Sequence, residues 1–173
     1  EKLVIGTINM SNEIYNNSKY FESRGSIYTI YRAEDFSIDF KQDKISKSYQ
    51  GVIRGFHADK YISKLVTCLH GKVRFITYDF KNDIKQDYLL DGDSKDSQSV
   101  LIPADTLNAH QCLSSVCIFH YKWSDYYKGT EDQRVVHYND PDINPQWSEE
   151  FNCLVADRDK NGPSLKQLKE NAR

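Results

Sequence analysis

The densest group of residues that could do chemistry is the segment GVIRGFH at residues 51–57, together with the Lys64 that follows it. Arg54, His57 and Lys64 fall within eleven positions of the chain. A planar guanidinium can bind a phosphate through two hydrogen bonds, a histidine moves protons near neutral pH, and a lysine stabilises an oxyanion. The three types together indicate proton transfer on an anionic substrate, although composition alone would make each of them a solvated surface group.

Other catalytic classes lack their residue patterns in this chain. The five histidines are scattered and form no H-x-H pair. A two-histidine metal site built from His57 and His110 on neighbouring strands stays open, but these residues match no ligand motif, and we expect no metal. Neither a G-x-S-x-G motif nor a glycine-rich phosphate loop is present, which disfavours nucleophilic hydrolysis and phosphate-loop chemistry.

The composition is typical of a folded and soluble β-rich domain. The 173 residues are 28% charged, 39% hydrophobic and 13% aromatic, and the mean hydropathy of -0.69 excludes a membrane protein. A net charge of -2 provides no field that would attract nucleic acid. The four cysteines form no C-x-x-C pair and are expected to be reduced thiols. The first residues, EKLVIGTINM, lack a signal-peptide pattern, so we expect a cytoplasmic protein.

Runs of β-branched and aromatic residues predict several strands. The sequence KLVTCLHGKVRFITYDF predicts a hairpin with strands at about 64–69 and 72–80. In the strand predicted at 116–123, alternation places Tyr121 on the face shared by Cys117, Phe119 and Trp123. Further strands are predicted at 26–31, 49–53 and 99–102, and 83–99 is expected to be an exposed connection with a short strand near 88–90.

The end of the chain carries a helix signal. Ser164 with Gln167 three residues later forms a capping-box pattern, which predicts one short C-terminal helix. The sequence contains no internal repeat and no linker, so we expect a single domain over residues 1–173. Many short strands favour an all-β sandwich or small barrel, of which the jelly roll is the commonest form that holds a ligand.

Short motifs along the chain, taken in order, resemble the dTDP-4-dehydrorhamnose 3,5-epimerase family from about Tyr20 to Leu165. The matching pieces include ESRG, FKQDKISKS, GVIRGFH, KLV, NDP and ADRD. Each piece is unspecific by itself, but the ordered series is specific, and GVIRGFH is close to diagnostic. The resemblance implies a cupin-type jelly roll that works as a homodimer on a nucleotide-diphosphate 4-keto sugar, with no metal or organic cofactor. It also implies a place in bacterial rhamnose or capsule heptose synthesis.

The resemblance implies a role for individual residues as well. His57 would be the catalytic base, Asp159 its carboxylate partner, Tyr121 the proton donor, and Lys64 would sit beside the ketone of the substrate. Arg24 and Arg54 would contact the substrate and its diphosphate, and Tyr127 would stack on the nucleotide base. The implied substrate-binding residues are Arg24, Arg54, Gln42, Asp43, Lys44, His110 and Tyr127.

The chain departs from the family pattern around the substrate. The segment between His57 and Lys64 is shorter than in the dTDP enzymes, Asp59 replaces a usual Gln, and Lys44 replaces a usual Asn. These features resemble a branch of the family that acts on GDP-linked 4-keto-heptoses, so the nucleotide and the sugar stay open, as does the choice between C3, C5 or both. The alternative to an epimerase is a jelly-roll domain that binds a sugar nucleotide without turnover.

Overall fold

The computed structural model describes residues 11–172, which form thirteen β-strands and two short α-helices. The expectation of no signal peptide depends on the first ten residues, EKLVIGTINM, which lie outside this range. Over the described range, no helix has the length and apolar character needed to cross a membrane. The strands are β1 (Glu13–Ser18), β2 (Tyr20–Glu22), β3 (Gly25–Ile27), β4 (Gln42–Tyr49), β5 (Val52–Asp59), β6 (Lys64–His70), β7 (Lys72–Asp79), β8 (Ile84–Asp91), β9 (Asp96–Ile102), β10 (Leu107–Cys112), β11 (Val116–Trp123), β12 (Gln133–Val135) and β13 (Leu154–Val155), and the helices are α1 (Asp157–Lys160) and α2 (Leu165–Asn171).

Two antiparallel sheets form the body of the fold. One sheet has the strand order β1-β9-β6-β11-β4 and the other has the order β12-β5-β10-β7-β8, with β13 added in parallel to β5. The strands β2 and β3 form a separate two-stranded ribbon. The predicted all-β class and the strands predicted at about 64–69, 72–80 and 116–123 are therefore confirmed. The hairpin predicted from the first two of these strands is wrong, because β6 pairs with β9 and β11 in one sheet, whereas β7 pairs with β8 and β10 in the other.

Alternating side chains from the two sheets build the core between them. Val66 and Phe119 of the five-stranded sheet meet Val73, Phe75 and Leu90 of the six-stranded sheet, and all five are fully or nearly fully buried. The period-two pattern of each strand places these residues on one face, because successive side chains point to opposite sides of a sheet.

A second apolar cluster lies on the other face of the six-stranded sheet. Ile53 and Phe56 of β5 pack there with Trp147, Leu165 and Leu168 from the C-terminal part of the chain. The predicted C-terminal helix is confirmed as α2, and its capping box between Ser164 and Gln167 is formed in both directions. This cluster fixes the segment that follows β12 against β5, which carries several of the candidate site residues.

Three further predictions of local structure are wrong. The strand predicted at 26–31 ends at Ile27, and the strand predicted at 49–53 is interrupted by a turn at Gln50 and Gly51, where Gly51 has a φ of 81°. The segment 83–99 contains β8 and part of β9 instead of an exposed connection. Its polar composition reflects the position of β8 at the edge of a sheet, where alternate side chains face solvent.

The expectation of four reduced cysteines is also wrong. Cys112 at the end of β10 and Cys117 on β11 form a disulfide, with their Cα atoms 5.8 Å apart. That separation lies within the usual range for disulfides. The short turn between the two strands brings the cysteines together, which no sequence motif marks. Cys68 and Cys153 are free thiols.

Candidate active site

A cavity of about 650 Å³ opens between the two sheets. Its volume lies in the range of pockets that bind small molecules. The six-stranded sheet contributes residues of β5, β10 and β12 to its walls, and the five-stranded sheet contributes residues of β4, β6 and β11. The segment 153–160, which includes β13 and α1, forms the remaining wall.

His57 and Asp159 form a hydrogen-bonded pair in this cavity. The Nε2 atom of His57 lies 2.6 Å from Oδ1 of Asp159. The backbone N–H of Gly55 donates to the other carboxylate oxygen of Asp159 at 3.1 Å. Burial opposes ionisation of Asp159, but the hydrogen bond from His57 and the N–H of Gly55 outweigh it, and the pKa of Asp159 lies below its ordinary value. A carboxylate held in this way fixes the orientation of the imidazole and stabilises its protonated form.

The chain brings Asp159 to His57 through β13. Leu154 and Val155 pair in parallel with Val52 and Ile53 of β5, so the following helix α1 begins next to the strand that carries His57. Gly55 is required at the point of contact, because its φ is 118° and a Cβ there would collide with the backbone of β10. The pair therefore depends on a close approach of three backbone segments.

Tyr121 reaches the cavity from the opposite sheet. It lies on β11, and its hydroxyl is 3.2 Å from Nδ1 of His110 on β10. Burial raises the pKa of Tyr121, so the phenol keeps its proton at neutral pH. Burial and the nearby charges of Arg54 and His57 lower the pKa of His110 to about 3, which keeps that imidazole neutral. The cavity thus holds a neutral phenol on one wall and the His57 imidazole on the other.

Lys64 lines the same cavity and is almost completely buried. Its ammonium forms an ion pair with Asp59 of β5 and lies 5.1 Å from the centre of the Trp123 ring. Burial lowers the pKa of Lys64 and the charge of Asp59 opposes that effect. The chain therefore places an amine donor that is paired with Asp59 inside the cavity.

The charge of the cavity differs from that of the whole chain. Among the described residues that line it, Asp159 is the one carboxylate, and it is already engaged by His57. The cations are five lysine and arginine side chains: Lys44, Arg54, Lys64, Arg158 and Lys160. This excess of positive charge favours an anionic ligand such as a diphosphate.

Some of the residues implied by the resemblance lie outside the cavity. Arg24 is exposed at the turn between β2 and β3, where it pairs with Glu22. Asp43 is 56% exposed and pairs with His120 and Lys122 on the outer face of the five-stranded sheet. These positions leave their roles in substrate binding as predictions.

The remaining predicted contacts lie in the cavity wall or next to it. Arg54 lines the cavity, and its Nε atom donates to Ser48 at 3.0 Å. The ammonium of Lys44 lies 4.9 Å from the centre of the Tyr127 ring, and the backbone N–H of Tyr127 donates to Gln42 at 3.1 Å. Lys44, Gln42 and Tyr127 therefore form one group. His110 is almost completely buried behind Tyr121 and does not line the cavity.

Several residues of the cavity escaped the sequence reasoning. Asn108 and Gln133 contribute amide groups to the wall, and Arg158 contributes a cation. Arg158 directly precedes Asp159 in the ADRD motif, so the motif itself could have indicated it. Asn108 and Gln133 carry no such signal, because strand pairing with β5 brings them to the site.

The two histidines of the open metal-site alternative each contact another side chain. His57 points to Asp159 and His110 to Tyr121, although β5 and β10 are neighbouring strands. Within residues 11–172, no group of three or more His, Cys, Asp or Glu side chains is arranged to hold a metal ion.

Comparison with known proteins identifies relatives over most of the chain. A family model described as dTDP-4-dehydrorhamnose 3,5-epimerase matches residues 12–167. The dTDP-4-dehydrorhamnose 3,5-epimerase of Methanothermobacter thermautotrophicus is 25% identical over 94% of this chain and 91% of its own length. A TDP-4-oxo-6-deoxy-alpha-D-glucose-3,4-oxoisomerase of Aneurinibacillus thermoaerophilus is 32% identical over 70% of this chain and 85% of its own.

A solved structure shows the same fold. The dTDP-6-deoxy-D-glucose-3,5-epimerase of Legionella pneumophila, in complex with dTDP-4-keto-L-rhamnose, superposes with a TM-score of 0.83. It is 25% identical, and the match covers 92% of this chain and 90% of that one. The predicted cupin-type jelly roll is confirmed.

Proposed function

Because the chain belongs to the dTDP-4-dehydrorhamnose 3,5-epimerase family, we propose that it inverts carbon centres next to the ketone of a nucleotide-diphosphate 4-keto sugar. The observation that carries the proposal is the placement of His57 and Tyr121 on opposite walls of one cavity. Inversion requires a proton to leave one face of the sugar ring and another to arrive on the opposite face. Two acid–base groups on two different sheets meet that requirement.

The first step is removal of a proton from the carbon beside the ketone. Such a hydrogen is weakly acidic, so a positioned base is needed. His57 takes the proton, and Asp159 holds the ring and stabilises the imidazolium that forms. The electron pair of the C–H bond forms a double bond to the carbonyl carbon, and the electrons of the C=O double bond move onto oxygen. The product is an enolate whose negative charge lies on the former ketone oxygen.

Lys64 stabilises the enolate. An ammonium group in a site shielded from water interacts strongly with a developing oxyanion, because the surrounding dielectric is low. The enolate then returns to the ketone, and the electron pair of its carbon–carbon double bond takes the phenolic proton of Tyr121 on the opposite face of the carbon. Solvent subsequently restores the phenol and removes the proton from His57.

The nucleotide end of the substrate would bind where the cations and aromatic rings meet. Arg54 provides a planar donor for the diphosphate, and Tyr127 provides a ring on which a base can stack. We propose a dTDP-linked substrate, because the three relatives described above are named for dTDP or TDP sugars. A GDP-linked 4-keto-heptose is the second candidate, because the altered segment that contains Asp59 resembles the branch of the family that acts on such sugars.

Two other activities make different predictions for the same cavity. A 3,4-oxoisomerase, the activity named for one relative, would move the carbonyl from C4 to C3. A binding domain without turnover would exchange no carbon-bound hydrogen, and it would not require the pairing of His57 with Asp159.

The deciding experiment follows deuterium uptake from D2O by mass spectrometry, with dTDP- and GDP-linked 4-keto sugars tested side by side. We expect uptake at one or two carbons, with the carbonyl still at C4 by NMR. Absence of uptake with either nucleotide would support the binding domain. A carbonyl at C3 would support the isomerase. The number of exchanged positions distinguishes a 3-epimerase from a 3,5-epimerase.

We also propose that the protein acts as a homodimer. Tyr20, Phe21 and Ile27 on the ribbon of β2 and β3 are between 53% and 71% exposed. Large apolar side chains grouped in this way mark association surfaces. The turn of the same ribbon carries Arg24, so pairing of two ribbons is a means by which Arg24 could reach the cavity of a second subunit.

A further inference from the structure

The structure assigns to Asp59 the role of a positioning residue that keeps Lys64 charged and directed into the cavity. This inference rests on the proposed function for its catalytic meaning, but the pairing of the two side chains can be tested without substrate. Asp59 itself is not part of the cavity lining, and it acts through Lys64.

The location of Asp59 follows from the strand that carries it. His57 and Asp59 are two residues apart on β5, so both side chains leave the same face of the sheet. His57 contacts the cavity directly, whereas Asp59 is 4% exposed and lies behind Lys64. The side chain of Gln133 donates to Oδ1 of Asp59 at 3.1 Å, and Oδ2 faces the ammonium of Lys64. Oδ1 therefore accepts a hydrogen bond, and the contact of Oδ2 with Lys64 is an ion pair.

An ammonium as deeply buried as that of Lys64 needs such a partner. Removal of a charge from water favours the neutral amine, and the neighbouring cation of Lys44 acts in the same direction. The ring next to the ammonium is the uncharged Trp123 of β11, and the amide of Gln133 on β12 contacts Asp59. Asp59 is thus the carboxylate that opposes these effects.

The geometry leaves Lys64 free to act on a substrate. An ammonium has three N–H donors, and the ion pair with Asp59 uses one side of the group. The side chain still lines the cavity, so the remaining donors are available to an oxygen of the ligand. Without Asp59, the same lysine would lose both the anchor that directs it and the charge that stabilises an enolate.

The test measures the titration of Lys64 directly in Asp59→Asn. The protein is produced with 13C-labelled lysine, and the Cε signal of Lys64 is assigned by its loss in Lys64→Arg and followed against pH. We expect the midpoint to fall by more than about one pH unit when the carboxylate is removed. Asp87→Asn is the matched control, because it removes a carboxylate that pairs with Arg74 on the distant β7 and β8.

Unchanged titration of Lys64 in a folded Asp59→Asn variant would overturn the inference. Should Asp59→Asn fail to fold, the double variant Asp59→Asn with Lys64→Met decides. Recovery of the fold in the double variant would show that the lone lysine charge caused the failure, as the inference requires. Failure of the double variant as well would show that Asp59 acts independently of Lys64 and would refute the inference.

Enzyme assays separate this result from the proposed function. If the wild type exchanges deuterium, the alkaline limb of its pH–rate profile should move to lower pH in Asp59→Asn, and Asp87→Asn should leave it in place. If the wild type exchanges none, the proposed epimerase fails, while the NMR titration still reports whether Asp59 sets the charge of Lys64.

Discussion

His57 and Tyr121 enter one cavity from two different sheets. His57 lies on β5 of the six-stranded sheet, and Tyr121 lies on β11 of the five-stranded sheet. Each has a fixed partner, Asp159 for the imidazole and His110 for the phenol. The two groups can therefore be altered one at a time, and each alteration should interrupt a different half of the reaction.

The variant His57→Asn should lose deuterium exchange by about 10²–10⁴-fold, because it lacks the base that removes the proton. Its affinity for the nucleotide, measured by calorimetry, should stay close to the wild-type value. His70→Asn is the control, since His70 is an exposed histidine paired with Asp93 outside the cavity. Exchange at a near wild-type rate in His57→Asn would mean that another group is the base.

The variant Tyr121→Phe should separate proton removal from proton delivery. The ring is retained and the phenolic proton is lost, so enolate formation through His57 should continue. Any label returned by His57 alone enters on the face from which hydrogen left, and the product should keep its configuration. NMR analysis of deuterated product provides the measurement. Inverted product at an undiminished rate would point to a different acid, such as water or Tyr126.

Stability should depend on pH through His110. Its folded pKa is about 3, well below the value of about 6.5 for an unfolded chain. Below pH 6.5 the unfolded state therefore binds a proton that the folded state rejects, so the free energy of unfolding decreases as the pH falls. The contribution is at most about 1.4 kcal/mol per pH unit.

The variant His110→Gln checks this dependence. Urea unfolding between about pH 6.5 and 5 should show a shallower loss of stability in the variant than in the wild type, because the titrating group is gone. His137→Gln serves as a control for a less buried histidine. Equal slopes for the wild type and His110→Gln would show that His110 is not held neutral by the fold.

Metal removal should leave the activity intact. The described residues contain no grouped metal ligands, and the proposed chemistry stabilises the enolate with Lys64. Prolonged dialysis against a chelator should not change the rate of deuterium exchange. Loss of exchange followed by recovery on addition of a divalent cation would contradict the assignment of that role to Lys64.

Oligomeric state should depend on the ribbon of β2 and β3. Replacement of the exposed Ile27 by Glu places a charge in the proposed contact and should shift the protein to a monomer in light scattering. Leu89→Glu changes an exposed leucine on β8 and should leave a dimer. If Ile27→Glu remained a dimer and Leu89→Glu became a monomer, the contact between subunits would instead lie at the edge of the six-stranded sheet.

The parts of the structure that could be predicted from sequence are those set by neighbouring residues. The bend at Gly71 between β6 and β7 and the capping box of Ser164 depend on a few adjacent positions, and both are present. The partners of β6 and β7 lie elsewhere in the chain, so the bend connects two sheets and does not form the predicted hairpin. The cavity depends on pairing between distant strands. Resemblance to a family suggested that Asp159 partners His57, but the pairing of Asp59 with Lys64 became visible only through the fold.

The outward position of Asp43 and the presence of a disulfide also depend on the fold and could not be predicted from neighbouring residues. Alternation along β4 places Asp43 and Lys44 on opposite faces of the strand, so one of the two adjacent residues lines the cavity and the other faces outward. The disulfide between Cys112 and Cys117 depends on a turn whose geometry the spacing of the cysteines does not reveal.

The contact between His57 and Asp159 joins positions that are 102 residues apart in the chain. Closing a loop of that length is entropically costly, and contacts between distant positions slow the folding of β-proteins. The antiparallel pair of β7 and β8, by contrast, joins adjacent segments of the chain. A refolding chain should therefore become compact before it becomes active, with a lag between the burial of its tryptophans and the return of exchange activity. During that lag Lys64 would already be buried, whereas His57 would still lack its carboxylate partner and could not act as the base.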